Sequence, residues 1–86
     1  FQYCSSLTSV TIPNSVTTIG HWAFDYCTSL KTVYCKPTTP PAGGYYMFNG
    51  NASGRKIYVP AGSGADYKEK QYWSTYKDYI YESSSL

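Results

Sequence analysis

Residues 24–36 read FDYCTSLKTVYCK, and the chain states this phrase nearly three times. Counted from Phe24, the phrase places Cys27, Ser29, Leu30, Val33 and Cys35; the same steps from Phe1 meet Cys4, Ser6, Leu7, Val10 and Ile12. A third copy starts at Phe48 and puts Asn51, Ser53, Ile57 and Val59 on the grid, with Pro60 in the place of Pro13. Phe48 follows Phe24 one residue later than Phe24 follows Phe1, so the second step is slightly the longer. A unit this short can bury its apolar side only against its neighbours.

A period in the low twenties predicts a β-rich leucine-rich-repeat solenoid, a right-handed coil of short parallel strands. Residues 9–12 alternate Val10 and Ile12 against Ser9 and Thr11, the pattern of a half-buried strand. Pro13 has no backbone donor and ends it. Val16 and Ile19 add an apolar pair, and Trp22, Ala23 and Phe24 form a returning wall that completes one coil. The second strand spans residues 32–36 with Val33 and Cys35 inward, and the third spans residues 56–60 with Ile57 and Val59 inward. Between them residues 37–46, PTTPPAGGYY, exclude regular structure and absorb the extra residue of the third copy. Tyr46 and Phe48 keep the phase of Trp22 and Phe24, so the wall resumes. Gly54 stands where Leu7 and Leu30 stood, which thins the core and requires another element to cover the gap.

That element is the C-terminal segment. Ser63 followed by Asp66 reads as a helix start, with Ser63 as N-cap, and residues 65–73 as a short helix. Ala65, Tyr72, Trp73, Tyr76, Tyr79 and Ile80 give it a ring-rich face suited to closing a repeat array. The organisation expected is therefore repeats over residues 1–60, a C-terminal helical cap over 61–81 and a frayed tail over 82–86.

Composition bounds the functions. An 86-residue chain is one small domain and buries about 60% of its unfolded surface. The net charge of +2 is spread over seven Lys and Arg and five Asp and Glu with no basic tract, which argues against nucleic acid as a partner. Apolar runs are too short for membrane insertion. The chain lacks an initiator Met and opens inside a repeat, so it is expected to be a C-terminal fragment of a longer parent. Leu7, Val10 and Ile12 would then lie at an open edge, with self-association through that N-terminal edge as the expected consequence.

Three cysteines form no closed disulfide framework. Cys4 and Cys27 share one repeat phase and should stack roughly 4.8 Å apart, inside the disulfide range. Their Cβ atoms would point the same way, a poor torsion for a bond, so free thiols are expected, with Asn51 taking the same place in the third copy. His21 is the sole histidine and no C-x-x-C occurs, so zinc is disfavoured. No cofactor is implied. The acidic residues lie at different phases and offer no acid–base pair; Ser6, Ser29 and Ser53 are turn residues, and the GSG at 62–64 is too short for a phosphate loop.

The phrases CSSLTSVTIPNSVTTIGHWAFDYCTSL and GRKIYVPAGSGADYKEKQYWSTYKDYI resemble the BspA-like, treponemal-type leucine-rich repeats of bacterial surface proteins, the second being similar to their terminal segment. The resemblance covers residues 1–80, with Gly54 and the Pro-rich loop as departures. It implies a secreted or surface-anchored, non-catalytic protein that adheres to host matrix proteins or other bacteria. From the residues themselves, the candidate binding face is the outward strand row Ser9, Thr32, Lys56 and the next row Thr11, Tyr34, Tyr58, with Lys36 beside them. Tyrosines among hydroxyls and lysines suit a protein hot spot or a sugar ring. The competing reading is that Tyr and Thr simply favour exposed strand positions, and that the segment is a structural cap whose ligand is held upstream.

Overall fold

The strand signals lead directly to the sheet. In the computed structural model, which describes residues 2–86, four strands form one sheet: β1 (Ser9–Ile12), β2 (Thr32–Cys35), β3 (Lys56–Pro60) and β4 (Ile80–Ser83). Their spatial order is their chain order, β1-β2-β3-β4, and every neighbouring pair is parallel. Phe1, the anchor of the first copy, lies outside the described residues.

Register follows the repeat. Val10 pairs with Val33, Val33 with Ile57 and Ile57 with Ile80, while Ile12 pairs with Cys35. A one-residue slip would turn each of these side chains to the other face, so the alternation fixes the pairing. Val33, Cys35, Ile57 and Val59 are fully buried, as expected; Val10 is only half-buried because β1 is an edge.

The return turns stack in the same way. Backbone N–H groups of Ile19, Trp22, Phe24 and Tyr26 donate to the carbonyls of Ala42, Tyr45, Met47 and Asn49, at 2.7 to 2.8 Å. Ile12 pairs with Cys35, and Thr18 bridges Ala42 one residue further on than that step would place it. The extra residue of the third copy therefore enters between Cys35 and Ala42, in the Pro-rich loop. Phe24 and Phe48 stack beneath these turns at 5.6 Å and 9°. Buried Asp25 joins three successive coils: Gln2 Nε2 donates to one carboxylate oxygen and Asn49 Nδ2 to the other, at 3.3 and 3.1 Å.

The C-terminal segment differs from the expected single helix. Helix α1 runs only over Gly64–Glu69, because Lys70 is extended (φ −71°, ψ 138°). A turn follows, and then a 3-10 helix over Ser74–Tyr79. The break lets Trp73 drop into the core, edge-on to Tyr67 at 4.9 Å, with its Nε1–H donating to Pro41 O at 2.8 Å. Tyr67 anchors to the same irregular loop through its hydroxyl, which donates to Pro37 O at 2.7 Å. Ser63 does precede α1, yet its hydroxyl donates to Thr38 O and makes no cap bond. The Gly64 N–H is satisfied instead by Glu82 Oε2, at 2.9 Å.

Two further corrections concern the expected tail and the third copy. Glu82 and Ser83 are not tail; they pair with Val59 and Pro60 as part of β4. Gly54 leaves no gap for another element to cover: it is exposed at φ 77°, a Cβ added to it would meet open space, and the residue beside it turns inward instead. Neighbouring Arg55 is only 9% exposed, and its Nη1 donates to Phe48 O at 2.8 Å and to Asn51 Oδ1 at 3.3 Å. Its guanidinium lies over the Tyr76 ring at 4.8 Å and the Tyr79 ring at 5.7 Å, supplied by the 3-10 helix. Burial lowers the Arg55 pKa, and the arrangement replaces a leucine anchor by a cation held against rings.

Candidate functional site

The exposed face of the sheet is built by alternation. Residues that flank the inward Val and Ile positions must point outward, and parallel register then lines them up across strands. Ser9, Thr32 and Lys56 pair in one row; Thr11, Tyr34 and Tyr58 pair in the next. Ser9, Thr11, Tyr34 and Lys56 are exposed, and Thr32 and Tyr58 are half-buried by their neighbours. Lys36 is exposed just past β2, where its N–H donates to Ile12 O at 3.0 Å. All the predicted face residues thus belong to β1, β2 and β3 or their immediate ends.

Sequence reasoning missed the third tyrosine of this row. Tyr81 pairs with Tyr58 and is 44% exposed. The rings of Tyr34 and Tyr58 stack at 5.8 Å and 20°, and those of Tyr58 and Tyr81 follow at 6.2 Å and 40°. Lys56 Nζ sits 5.8 Å from the Tyr81 ring centroid, which places a cation at the side of the strip. The signal was present in the chain, since Ile80 and Tyr81 follow Ile57 and Tyr58 at the same spacing that separates Val10 from Val33.

The remaining candidates play structural parts. His21 is exposed, stacks on Tyr45 at 4.3 Å and accepts the Tyr45 backbone N–H on Nδ1 at 2.7 Å. Cys4, Cys27 and Cys35 form no disulfide; burial raises the pKa of Cys27 and pushes that of Cys35 up to about 12, which disfavours a nucleophilic thiolate. Asn51 takes the place of Cys27 one copy on and ties down its turn, donating from Nδ2 to Phe24 O and Cys27 O at 2.8 and 3.3 Å. Among the described residues no group of three or more His, Cys, Asp or Glu could hold a metal ion, and no helix is long and apolar enough to cross a membrane.

The repeat phase, the parallel sheet and the stacked turns agree with a comparison against known families. The model of the BspA type leucine rich repeat region (6 copies) matches residues 1–84. The chain belongs to the BspA-type leucine-rich-repeat family. A search of curated proteins found no match. BspA-type repeats are typical of bacterial surface proteins, and leucine-rich repeats generally mediate protein interaction without catalysis. In this BspA-type chain the strip that could do so is the row Tyr34, Tyr58, Tyr81 with Lys36 and Lys56. It offers amphipathic ring edges, hydroxyls and cations on a surface held rigid by backbone pairing beneath it.

Proposed function

We propose that this chain is a non-catalytic interaction module of a secreted or surface-anchored protein, and that its sheet face binds a protein partner. The observation that supports the reading is the continuous tyrosine strip with lysines at its margin. Tyr is enriched at protein hot spots because it presents a large, stiff, amphipathic surface at low entropic cost. The lysines favour a partner with an acidic rim and a salt-sensitive on-rate. Host matrix proteins and other bacterial surface proteins are the first partners to test. Immobilised chain is exposed to a panel of purified matrix proteins, and the Tyr34→Ala/Tyr58→Ala variant is run beside it. A captured partner whose affinity falls at least tenfold in the variant supports the sheet face, whereas an unchanged affinity puts the ligand elsewhere. A neutral oligosaccharide bound at the same strip would favour a carbohydrate-binding face.

A second reading is that the segment closes the C-terminal end of a repeat solenoid whose ligand is held upstream. The fit of Tyr67, Trp73 and Tyr76 into the core, with Asp66, Lys68 and Glu69 in solvent, favours it. On this reading residues 1–60 are the repeats and residues 61–81 the cap, which β4 carries on to Ser83. At the other end, among the described residues, no strand pairs with the outer edge of β1, which lies beside an apolar cavity of about 260 Å³ lined by Val10, Ile12, Val16, Ile19, Ala23 and Phe24. Self-association through this N-terminal edge is tested by sedimentation at high micromolar concentration. A clean monomer there argues against it.

A further inference from the structure

Five aromatic residues hold a left-handed backbone that bulky L residues adopt only at a cost. They are Tyr3 (φ 63°), Trp22 (56°), Tyr26 (55°), Tyr46 (52°) and Tyr72 (71°). Four of them recur by repeat position in the return turns. Trp22 and Tyr46 stand two residues before Phe24 and Phe48, and Tyr3 and Tyr26 stand two residues after Phe1 and Phe24. The next residue in that series is Gly50, at φ 69°, so one copy does fill the slot with the residue that suits it. Burial does not offset the strain elsewhere, since Tyr3, Trp22, Tyr26 and Tyr46 are 64%, 45%, 48% and 61% exposed. Strain maintained at exposed rings points to a use for the rings.

Their arrangement suggests that use. The rings of Tyr3 and Tyr26 are parallel to within 2°, with centroids 5.7 Å apart. The two rings thus lie one above the other along the repeat direction, and both remain largely open to solvent. Tyr26 in turn lies against Gly50, where an added Cβ would come within 2.7 Å of its ring. The column therefore climbs one repeat per ring. Along residues 20–28 and 44–51 the exposed side chains are aromatic rings, His21, Thr28 and Asn49; the one carboxylate, Asp25, is buried and engaged by Gln2 and Asn49.

We infer that this turn wall is a stacking platform for a neutral polysaccharide, with the sugar chain lying along the repeat direction. Open aromatic faces attract the C–H faces of pyranose rings, tyrosine hydroxyls reach sugar hydroxyls, and an uncharged wall gives no advantage to an acidic chain. The platform is separate from the lysine-bearing sheet face and stands or falls independently of it.

The test is affinity electrophoresis of the whole chain through gels containing hydroxyethylcellulose or yeast mannan, with polygalacturonate as the anionic control. Acrylamide quenching of tryptophan fluorescence gives a second readout, because Trp73 is fully buried and the quenchable indole is Trp22. The expected result is retardation in at least one neutral gel, unaffected by salt, with protection of Trp22. Tyr26→Asn and Tyr46→Asn, which place an amide that tolerates the left-handed backbone, should keep or raise the melting temperature while weakening retention roughly tenfold. Tyr34→Ala/Tyr58→Ala should leave retention unchanged. Free migration in both neutral gels, retention confined to polygalacturonate and abolished by salt, or full retention by the folded Tyr26→Asn and Tyr46→Asn variants would each overturn the inference.

Discussion

Tyr58 and Tyr81 stand opposite each other in the parallel pairing of β3 with β4, their ring centroids 6.2 Å apart. Tyr81 is thereby the outermost ring of the sheet-face strip. Tyr81→Ala should weaken any partner that also depends on Tyr34 and Tyr58, while costing only about 0.2 to 1 kcal/mol of stability, the scale of one cross-strand pair. Binding and urea melts on the same variant separate the two effects; a loss of affinity matched by wholesale unfolding would argue against a direct role.

Trp73 is the larger structural risk. Trp73→Ala removes a fully buried indole and should cost about 3 to 5 kcal/mol, a large part of the stability of a chain this size. Trp73→Phe keeps most of the packing but leaves Pro41 O without its donor, at about 1 to 3 kcal/mol. Chemical denaturation should rank them wild type, Phe, Ala. An equal loss in both would mean the hydrogen bond, not the volume, dominates.

Glu82 should make stability fall in acid. The Gly64 N–H, and after it the Gly62 N–H, hold the carboxyl below its ordinary value of 4.5. A carboxylate with a lower pKa folded than unfolded stabilises the fold above the unfolded value and loses that contribution as pH falls through the folded one. The melting-temperature gap between wild type and Glu82→Gln should therefore be steady near neutral pH and close below about pH 4. A gap that does not change with pH would show that the bond to Gly64 is indifferent to ionisation.

All three cysteines should titrate as free thiols once the chain is unfolded. In the native chain Cys4, the half-buried one, should react first, and Cys35 slowest because burial both shields it and raises its pKa. Fewer than three thiols after denaturation would reveal a bond that the parallel stacking of Cys4 and Cys27 disfavours.

The inward rows and the Tyr34–Tyr58 pair were legible because two periods agreed, the long one from coil to coil and the alternation along each strand. The place of the extra residue was legible too, because the prolines and glycines of the loop before Tyr45 leave no regular pairing for it to disturb. β4 was not read although Ile80 and Tyr81 continue the same count from Ile57 and Tyr58. The markers that announce a copy had gone by then, with Ser74 and Lys77 at the steps held by Asn51 and Gly54. The helix was read too long because its ring-rich spacing suited a continuous helix, and only tertiary packing shows that Trp73 must turn inward. Arg55 was invisible as a core residue because a charge in sequence reads as solvated. The strained turns could not be foreseen either, since Tyr and Trp are the last residues that a left-handed position suggests.

The strict neighbour-to-neighbour pairing also sets how the molecule would respond to force. β1 and β4 are the two edges of the sheet, so tension on the chain ends reaches each coil through the rows joining it to the next. Such a ladder should yield in sequence, one coil at a time, each released coil paying out roughly 75 Å of slack as its backbone straightens. A chain that tethers surfaces would then lengthen in steps under shear and keep its hold while it did so.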